Sequence, residues 1–586
     1  MNNSSGRQIG AFLLFAVAVL LLLPDLIWLC VADGKYFEHS VPYALMSGLL
    51  PSLVLLATLF AILGRRPWLS VLLMLPFLLF VPIETAYVGH YGEPSWYAII
   101  ATILESNTHE VVEFLGSEIW PLLAACVACL GFGLATIIYL RRVQFSWTGR
   151  LRNLTLTAGA TAVLIGAGLL WPRPDGGKQS APSAAAATAE PALPSWAGKI
   201  EPSFPFGVPL RYWHYRVEWN AMRTASDRLH TFRFKAHTTR AVSARQIYVL
   251  VIGETGRKDR WQLYGYERAT NPELAGISNL IRFEDMVTPA GESRDSVPII
   301  ASRKRANDHR AYFDERSISA AFSEAGFATF WLSNQMAIGH YDSPIAVVAF
   351  DAEHVAFYSV ADWGKAGTYD EVLLEPLKEA IASSNDNLFV VLHTMGSHAN
   401  YAHRYPPAFD VFKPSLKGNE DADYYDVSVQ EQLRNSYDNS ILYTDHFIAA
   451  VIRTLAATGD VATMWYISDH GEDFASATCK LAGHGNGTEF DFRIPSVFWY
   501  SDGYAQQFPE EIARVRQRSL MKLTTENVFE SLIDMAALDF PGHDPQWSIF
   551  SSVWQAHPRI VNGLVPLDID AASAPGKCHV LVPSGQ

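Results

Sequence analysis

Three short clusters carry the residue types that hold a divalent metal. Gly253-Glu254-Thr255 offers a carboxylate. Ser468-Asp469-His470-Gly471-Glu472 offers a carboxylate beside an imidazole. His393-Thr394-Met395-Gly396-Ser397-His398 offers two histidines, and His484 follows within the glycine-rich run Gly483–Gly487. Carboxylate oxygens combined with imidazole nitrogens suit zinc. Three protein ligands with an open fourth position make a site that activates a bound group rather than one that only staples a fold. A hydroxyl beside such an ion can lose its proton near neutrality and attack phosphorus. Thr288, Ser293 and Ser296 all qualify within 286–303, and spacing does not choose among them. Each residue also has a plainer reading: Glu254 as an acid at a helix start, His393 as a core histidine, His398 and His484 as surface histidines. The plainer readings weaken together, because the clusters repeatedly fall just after strand-forming runs.

Those runs are Ile247–Ile252, Ala328–Leu332, Leu388–Leu392, Thr463–Ile467 and Ser496–Tyr500, each bounded by Gly, Asn, Ser or charge. Helical periodicity is clearest over Glu431–Leu455 and recurs over Ser317–Glu324 and Tyr369–Ala382. Alternating strands and helices predict a layered α/β domain over 246–586, with the polar clusters collected at the carboxyl ends of its strands.

The first third reads differently. The chain has 586 residues, 49% apolar and only 18% charged, and the apolar excess is concentrated there. Five stretches of roughly 20 residues are long enough to span a bilayer as helices: Ile9–Ala32, Tyr43–Leu63, Trp68–Val88, Ile119–Leu140 and Leu154–Trp171. Arg7, Arg65, Arg66, Arg141, Arg142, Arg150 and Arg152 fall on one side if the N-terminus is cytoplasmic. An odd number of spans then puts everything after Trp171 outside, in the periplasm of a two-membrane bacterium. A transmembrane domain over 1–172 is thus expected, followed by a linker over 173–245. The linker begins with a Pro/Ala/Ser-rich stretch and ends in an aromatic and basic segment, Phe206–Thr238, suited to a membrane surface. The net charge of −14 argues against a nucleic-acid partner. Cys479 and Cys578 could pair if their compartment is oxidising.

Several of these segments resemble bacterial phosphoethanolamine transferases of the alkaline phosphatase and sulfatase superfamily. Gly253-Glu254-Thr255, Thr270-Asn271-Pro272, Trp331-Leu332-Ser333-Asn334-Gln335, the 393–398 cluster, Tyr437-Asp438-Asn439 and the 468–472 cluster all look like that family's motifs. So does Glu105-Ser106-Asn107 in an outside loop. The resemblance implies a five-helix transmembrane domain joined to an α/β/α sandwich with a mostly parallel central sheet. It implies one tightly bound Zn²⁺ held by Glu254, Asp469 and His470, and a nucleophile at Ser293, also a metal ligand, three residues before Ser296-Val297-Pro298. It gives His398 and His484 the donor phosphate or a second, transient zinc. It gives Asn334, His393, Asn107 and Glu113 substrate contacts.

The implied reaction takes phosphoethanolamine from phosphatidylethanolamine to a lipopolysaccharide component, lipid A or core sugar, or another envelope glycan. The implied enzyme is a monomer in the inner membrane. Two features depart from the family. Serine stands where threonine is usual at the nucleophile, and Pro289 and Ile299 replace cysteines that the lipid A enzymes use in disulfides. The second departure leans the chain toward the lipopolysaccharide-core or glucan-modifying branch. Rival readings are a phosphoglycerol transferase and a non-catalytic membrane sensor that keeps the fold. A sulfatase nucleophile motif is not matched at Ser293-Arg294-Asp295.

Overall fold

A computed structural model describes residues 3–31, 41–91, 94–95, 100, 119–170, 200–308, 313–335, 343–359, 368–419, 422, 424, 426–563 and 565–584. The described chain forms two compact units, one up to Ala221 and one from Met222 onward.

In the first unit, Val41–Ile62, Trp68–Gly89 and Ile119–Arg142 are helical, long and apolar enough to cross a membrane. Ser5–Leu21 and Leu23–Val31 make a fourth span if read as one helix bent by 47°. Pro24, which lacks an N–H, sits at the break and accounts for it. The fifth expected stretch forms the helix Arg150–Leu170. Among the described residues, three spans, or four with the bent pair, are long and apolar enough to cross.

Most of the basic and aromatic segment is the helix Gly207–Thr231, whose residues from Met222 onward belong to the second unit. Tyr212 and Trp213 on it are about half exposed, whereas Arg211 is fully buried. The Arg211 guanidinium meets Glu84 Oε1 at 2.7 Å and Ser95 Oγ at 2.6 Å, and also donates to the Glu201 and Pro202 carbonyls. A buried carboxylate stripped of its partner is left uncompensated. Arg211→Ala should therefore destabilise the first unit by about 3 to 5 kcal/mol. Thermal unfolding of the full chain in detergent would show it as a lowered first transition. An unchanged transition would refute the role of the pair.

The second unit is built on a seven-stranded sheet. In chain order its strands are β1 (Gln246–Gly253), β2 (Leu280–Arg282), β3 (Ala328–Ser333), β4 (His354–Phe357), β5 (Leu388–His393), β6 (Val461–Ser468) and β7 (Ser496–Tyr500). Across the sheet they run β2-β7-β6-β1-β5-β3-β4. The pairs within β6-β1-β5-β3-β4 are parallel, and β7 is antiparallel to both β6 and β2, so the sheet is mixed.

Strand β1 shows why both faces must be covered. Tyr248, Leu250 and Ile252 enter one buried apolar cluster, and Ile247, Val249 and Val251 enter the other. The first face is covered by Ser293–Ala301, Ile318–Glu324 and Val528–Met535. The second is covered by Leu374–Ser383 and the long helix Gln430–Ala456, whose Leu433, Tyr437, Ile441 and Ile448 recur at helical spacing. This is the expected α/β/α layering. Cys479 and Cys578 are disulfide-bonded.

Candidate active site

Register places the site. In the parallel pair β1–β6, Gly253 lies opposite Ser468, so the next residues, Glu254 and Asp469, leave the sheet side by side. The Asp469 amide donates to the Gly253 carbonyl at 2.9 Å and fixes that exit. On the other flank of β1, Ile252 lies opposite His393, which in turn lies opposite Ser333 of β3. Four strand ends therefore open on one rim.

Glu254, Asp469 and His470 are all at most 1% exposed, and each offers a ligand atom within 4.8 Å of the other two. His470 Nδ1 lies 2.8 Å from the Gly471 carbonyl, which can only accept. Nδ1 therefore carries the proton, and Nε2 is the nitrogen free to ligate. Nε2 is 3.3 Å from Glu254 Oε1 and 3.5 Å from Asp469 Oδ2. Asp469 Oδ1 accepts the Thr255 and His470 amides, while its buried Oδ2 accepts no hydrogen bond. An orphaned buried carboxylate oxygen beside a second carboxylate and an oriented imidazole fits a divalent cation, and the donor set suits zinc.

Ser293 closes the group. Its Oγ donates to Glu254 Oε2 at 3.0 Å and lies 3.1 Å from His470 Nε2. It begins the helix Ser293–Ala301, whose first free amide dipoles favour negative charge there. Thr288 is fully buried and hydrogen-bonded to the Ala290 carbonyl, and Ser296 is fully buried in the helix. Of the three hydroxyls left open by spacing, only that of Ser293 meets the ligands.

His484 stacks beside His470, with ring centroids 4.4 Å apart, and His398 lies 6.4 Å from His484. The His398 Nδ1 donates to the Ala399 carbonyl at 2.6 Å, leaving Nε2 toward other partners. Two other residues expected at the substrate lie buried beneath the rim. Asn334 is 1% exposed and gives its amide to Asp370 Oδ1 and the Thr368 carbonyl. His393 is 1% exposed beneath the rim, next to Ser333 and edge-on to Trp331. Asn107 and Glu113 lie outside the described residues.

Several supporting residues carried no signal of their own type. Gln335 Nε2 donates to Glu254 Oε2 at 2.9 Å, and Thr255 Oγ1 donates to Glu254 Oε1 at 2.7 Å. Thr255 itself has φ +56°, a strained value for a β-branched residue. The Tyr437 hydroxyl holds it by donating to its carbonyl at 2.6 Å and accepting the Arg257 amide. Asp370 accepts the Met395 and Gly396 amides. Gly396 has φ +47°, and a Cβ there would fall 2.6 Å from the Glu254 carbonyl oxygen. In the sequence, Gln335 and Gly396 are legible only as members of the 331–335 and 393–398 motifs, without roles of their own.

The electrostatics follow from burying two acids together. Burial pushes Asp469 up to about 7, and Glu254 adds to this. Burial would also raise Glu254, but the hydrogen bond and charge of His470 hold it well below the usual carboxylate range. Burial opposes charge on His470, yet Asp469 and Glu254 outweigh it and raise the imidazole to about 10. Burial and then His470 push His484 down to about 3, so it is neutral. Beside Ser293, burial and then Asp295 lift Glu292 to about 7.

The sulfatase family matches the chain over residues 246–537. This is a sulfatase-family domain. The phosphoethanolamine transferase EptC of Escherichia coli (strain K12) is 25% identical over 394 residues, covering 65% of this chain and 67% of that protein. The integral membrane lipooligosaccharide phosphoethanolamine transferase A of Neisseria meningitidis is 18% identical and superposes with a TM-score of 0.66, covering 93% of this chain and 96% of that one. The periplasmic domain of Escherichia coli EptC in complex with Zn is 24% identical, with a TM-score of 0.50, covering 57% of this chain and 95% of that one. The two structures establish the sulfatase-like fold and its attachment to an apolar helical region.

Two outcomes test the site. A metal must displace protons from Asp469 and His470, so its affinity should rise with pH through about 7, where Asp469 ionises. The rise should be about tenfold per pH unit for each proton displaced. Competition with a zinc-binding dye measures it, and a flat profile would contradict the assignment. Gly396→Ala forces a left-handed alanine against the Glu254 backbone, at about 1 to 2 kcal/mol for the φ alone. It should lower bound zinc in the purified full chain while the sheet remains folded by circular dichroism.

Proposed function

We propose that the chain transfers phosphoethanolamine from phosphatidylethanolamine to a lipopolysaccharide component or another envelope glycan, through a covalent intermediate on Ser293. The observation that carries this reading is the Ser293 hydroxyl, hydrogen-bonded to one candidate metal ligand and 3.1 Å from another at a helix N-terminus. The names of the relatives and the apolar helices support the donor class and a membrane setting. The catalytic domain belongs in the periplasm on this reading, and the chain acts as a monomer.

Glu254, Asp469 and His470 would hold a Zn²⁺, which when bound lowers the pKa of a neighbouring hydroxyl and offsets charge on phosphoryl oxygens. The Ser293 Oγ forms a bond to phosphorus as the bond from phosphorus to the diacylglycerol oxygen breaks. His398 takes the proton that Ser293 gives up and passes it to the departing diacylglycerol, while the neutral His484 holds the phosphoryl oxygens. An acceptor hydroxyl then attacks the same phosphorus, Ser293 leaves and regains its proton, and the acceptor keeps the phosphoethanolamine. Gln335 and Thr255 fix both oxygens of Glu254, so the ligand does not swing away as Ser293 changes charge. Glu113 and Asn107 remain proposed donor contacts.

Intact-mass spectrometry after incubation with phosphatidylethanolamine should show one added phosphoethanolamine, mapped to Ser293. Ser293→Ala should lose both adduct and transfer, whereas Ser293→Thr should keep them. An adduct on Thr288 or Ser296, or full activity in Ser293→Ala, would refute the nucleophile. A phosphoglycerol adduct formed from phosphatidylglycerol would replace the donor.

A further inference from the structure

A groove lined by arginines lies apart from the metal ligands in the same unit. Its outer part is a cavity of about 580 Å³ walled by Arg260, Arg268, Arg434, Tyr266 and Gln430. Its inner part, about 180 Å³, shares Arg260 and Arg434 with the outer and continues to Arg257, Asp473 and Phe474. Arg257 and Asp473 each lie three positions beyond a proposed metal ligand, Glu254 and His470 respectively. The groove thus abuts the loops that carry the ligands.

Apart from the exposed Lys577 at the inner part, most of its cations are neutralised. Arg257 pairs with Asp259 at 2.7 Å, and Arg268 pairs with Asp438 at 2.8 Å. Arg260 lies 3.7 Å from the other Asp438 oxygen and donates to the Tyr266 hydroxyl. Arg434 is different. Among the described residues its guanidinium has no ion pair, and its Nε is buried with no acceptor. Glu267 and Glu431 also border the outer cavity, but they are exposed at its edge and do not pair with it. Burial, and then the like charges of Arg260 and Arg257, disfavour the Arg434 cation as it stands. An unpaired, part-buried guanidinium between two arginines lacks an anion.

The remaining walls say what kind of anion. Phe474 is flanked by Arg257 at 4.7 Å and Arg260 at 5.1 Å, and Tyr266 lies under Arg260 at 5.2 Å. The lining is mostly polar and aromatic, with Val427 its one aliphatic side chain, and offers no apolar trough for acyl chains. The space suits a ligand of a few rings rather than a lone phosphate.

We propose that this groove binds the anionic oxygens, phosphate ester or carboxylate, of the glycan that accepts the transferred group, with Arg434 as their principal contact. The word acceptor rests on the function proposed above; the anion site does not.

The test uses the full chain in detergent and isothermal titration with glucosamine 1-phosphate, glucosamine, inorganic phosphate and glycerol 1-phosphate. Glucosamine 1-phosphate should bind and glucosamine should not. Arg434→Gln should raise its Kd about tenfold, from loss of one charge-assisted contact, and Arg434→Lys should recover part of the loss. Circular dichroism and the melting temperature show whether each variant is folded. No binding to the wild-type chain, or equal binding by folded Arg434→Gln, overturns the site. Glycerol 1-phosphate or inorganic phosphate binding as tightly as the sugar phosphate overturns its assignment to a glycan. In transfer assays Arg434→Gln should raise KM for the glycan acceptor about tenfold; a rise for phosphatidylethanolamine instead overturns the acceptor role. The titrations need no turnover. A chain that forms no Ser293 adduct would sink the transfer reading and leave the binding result to stand or fall alone.

Discussion

Two carboxylates and an imidazole share a space from which water is excluded, and much of the surrounding structure serves to keep them there. Glu254 and Asp469 are both fully buried, so their mutual repulsion is poorly screened. His470 offsets one negative charge, which is why it is held as a cation while Asp469 stays near its titration point. One imidazolium cannot satisfy both acids. The unmet half is visible as the Asp469 oxygen with no donor. A divalent ion resolves the whole arrangement by discharging both acids and replacing the imidazole proton. The same features that make the cluster costly therefore suit it to a metal.

That cost is carried by backbone placed with little tolerance. The β1–β6 register puts the two acids side by side. Thr255 is then turned into the left-handed region, where the Asp469 carboxylate and the Tyr437 hydroxyl hold its amide and carbonyl. The 395–396 turn closes over the Glu254 backbone and accepts only glycine there. Asp370 anchors that turn, and Asn334 anchors Asp370. Asn334 thus contributes to the site at one remove, through the loop that covers a ligand. These contacts come from the ends of four strands, so the sheet itself supplies the rigidity.

The central strands and the ligand clusters were readable because each signal is local. Five apolar runs became five strands, and β7 spans the predicted Ser496–Tyr500 without change. The edge strands β2 and β4 were not readable. They have three and four residues and owe their conformation to a neighbour's free edge rather than to their own composition. The layering followed from alternation, but the β1–β6 register did not, since pairing partners far apart in sequence leave no mark on either strand. The same limit hid the roles of Gln335 and Tyr437, whose side chains act only after the fold brings Glu254 and Thr255 to them.

The serine at 293 follows from the same constraint. A threonine in that place would be stiffened at χ1 by its β-branch, so its hydroxyl would point correctly before any partner engaged it. Serine has no such restriction and a wider choice of rotamers. Here the choice is made by Glu254, which takes the hydrogen bond at 3.0 Å, and by the His470 nitrogen 3.1 Å away. The orientation that a methyl group would build into the residue is supplied by the ligands. Glu254 can supply it only because Gln335 and Thr255 fix its two oxygens. In this chain the aim of the Ser293 hydroxyl and the integrity of the Glu254–Asp469–His470 cluster are therefore one property, and a change that loosens Glu254 should disturb both together.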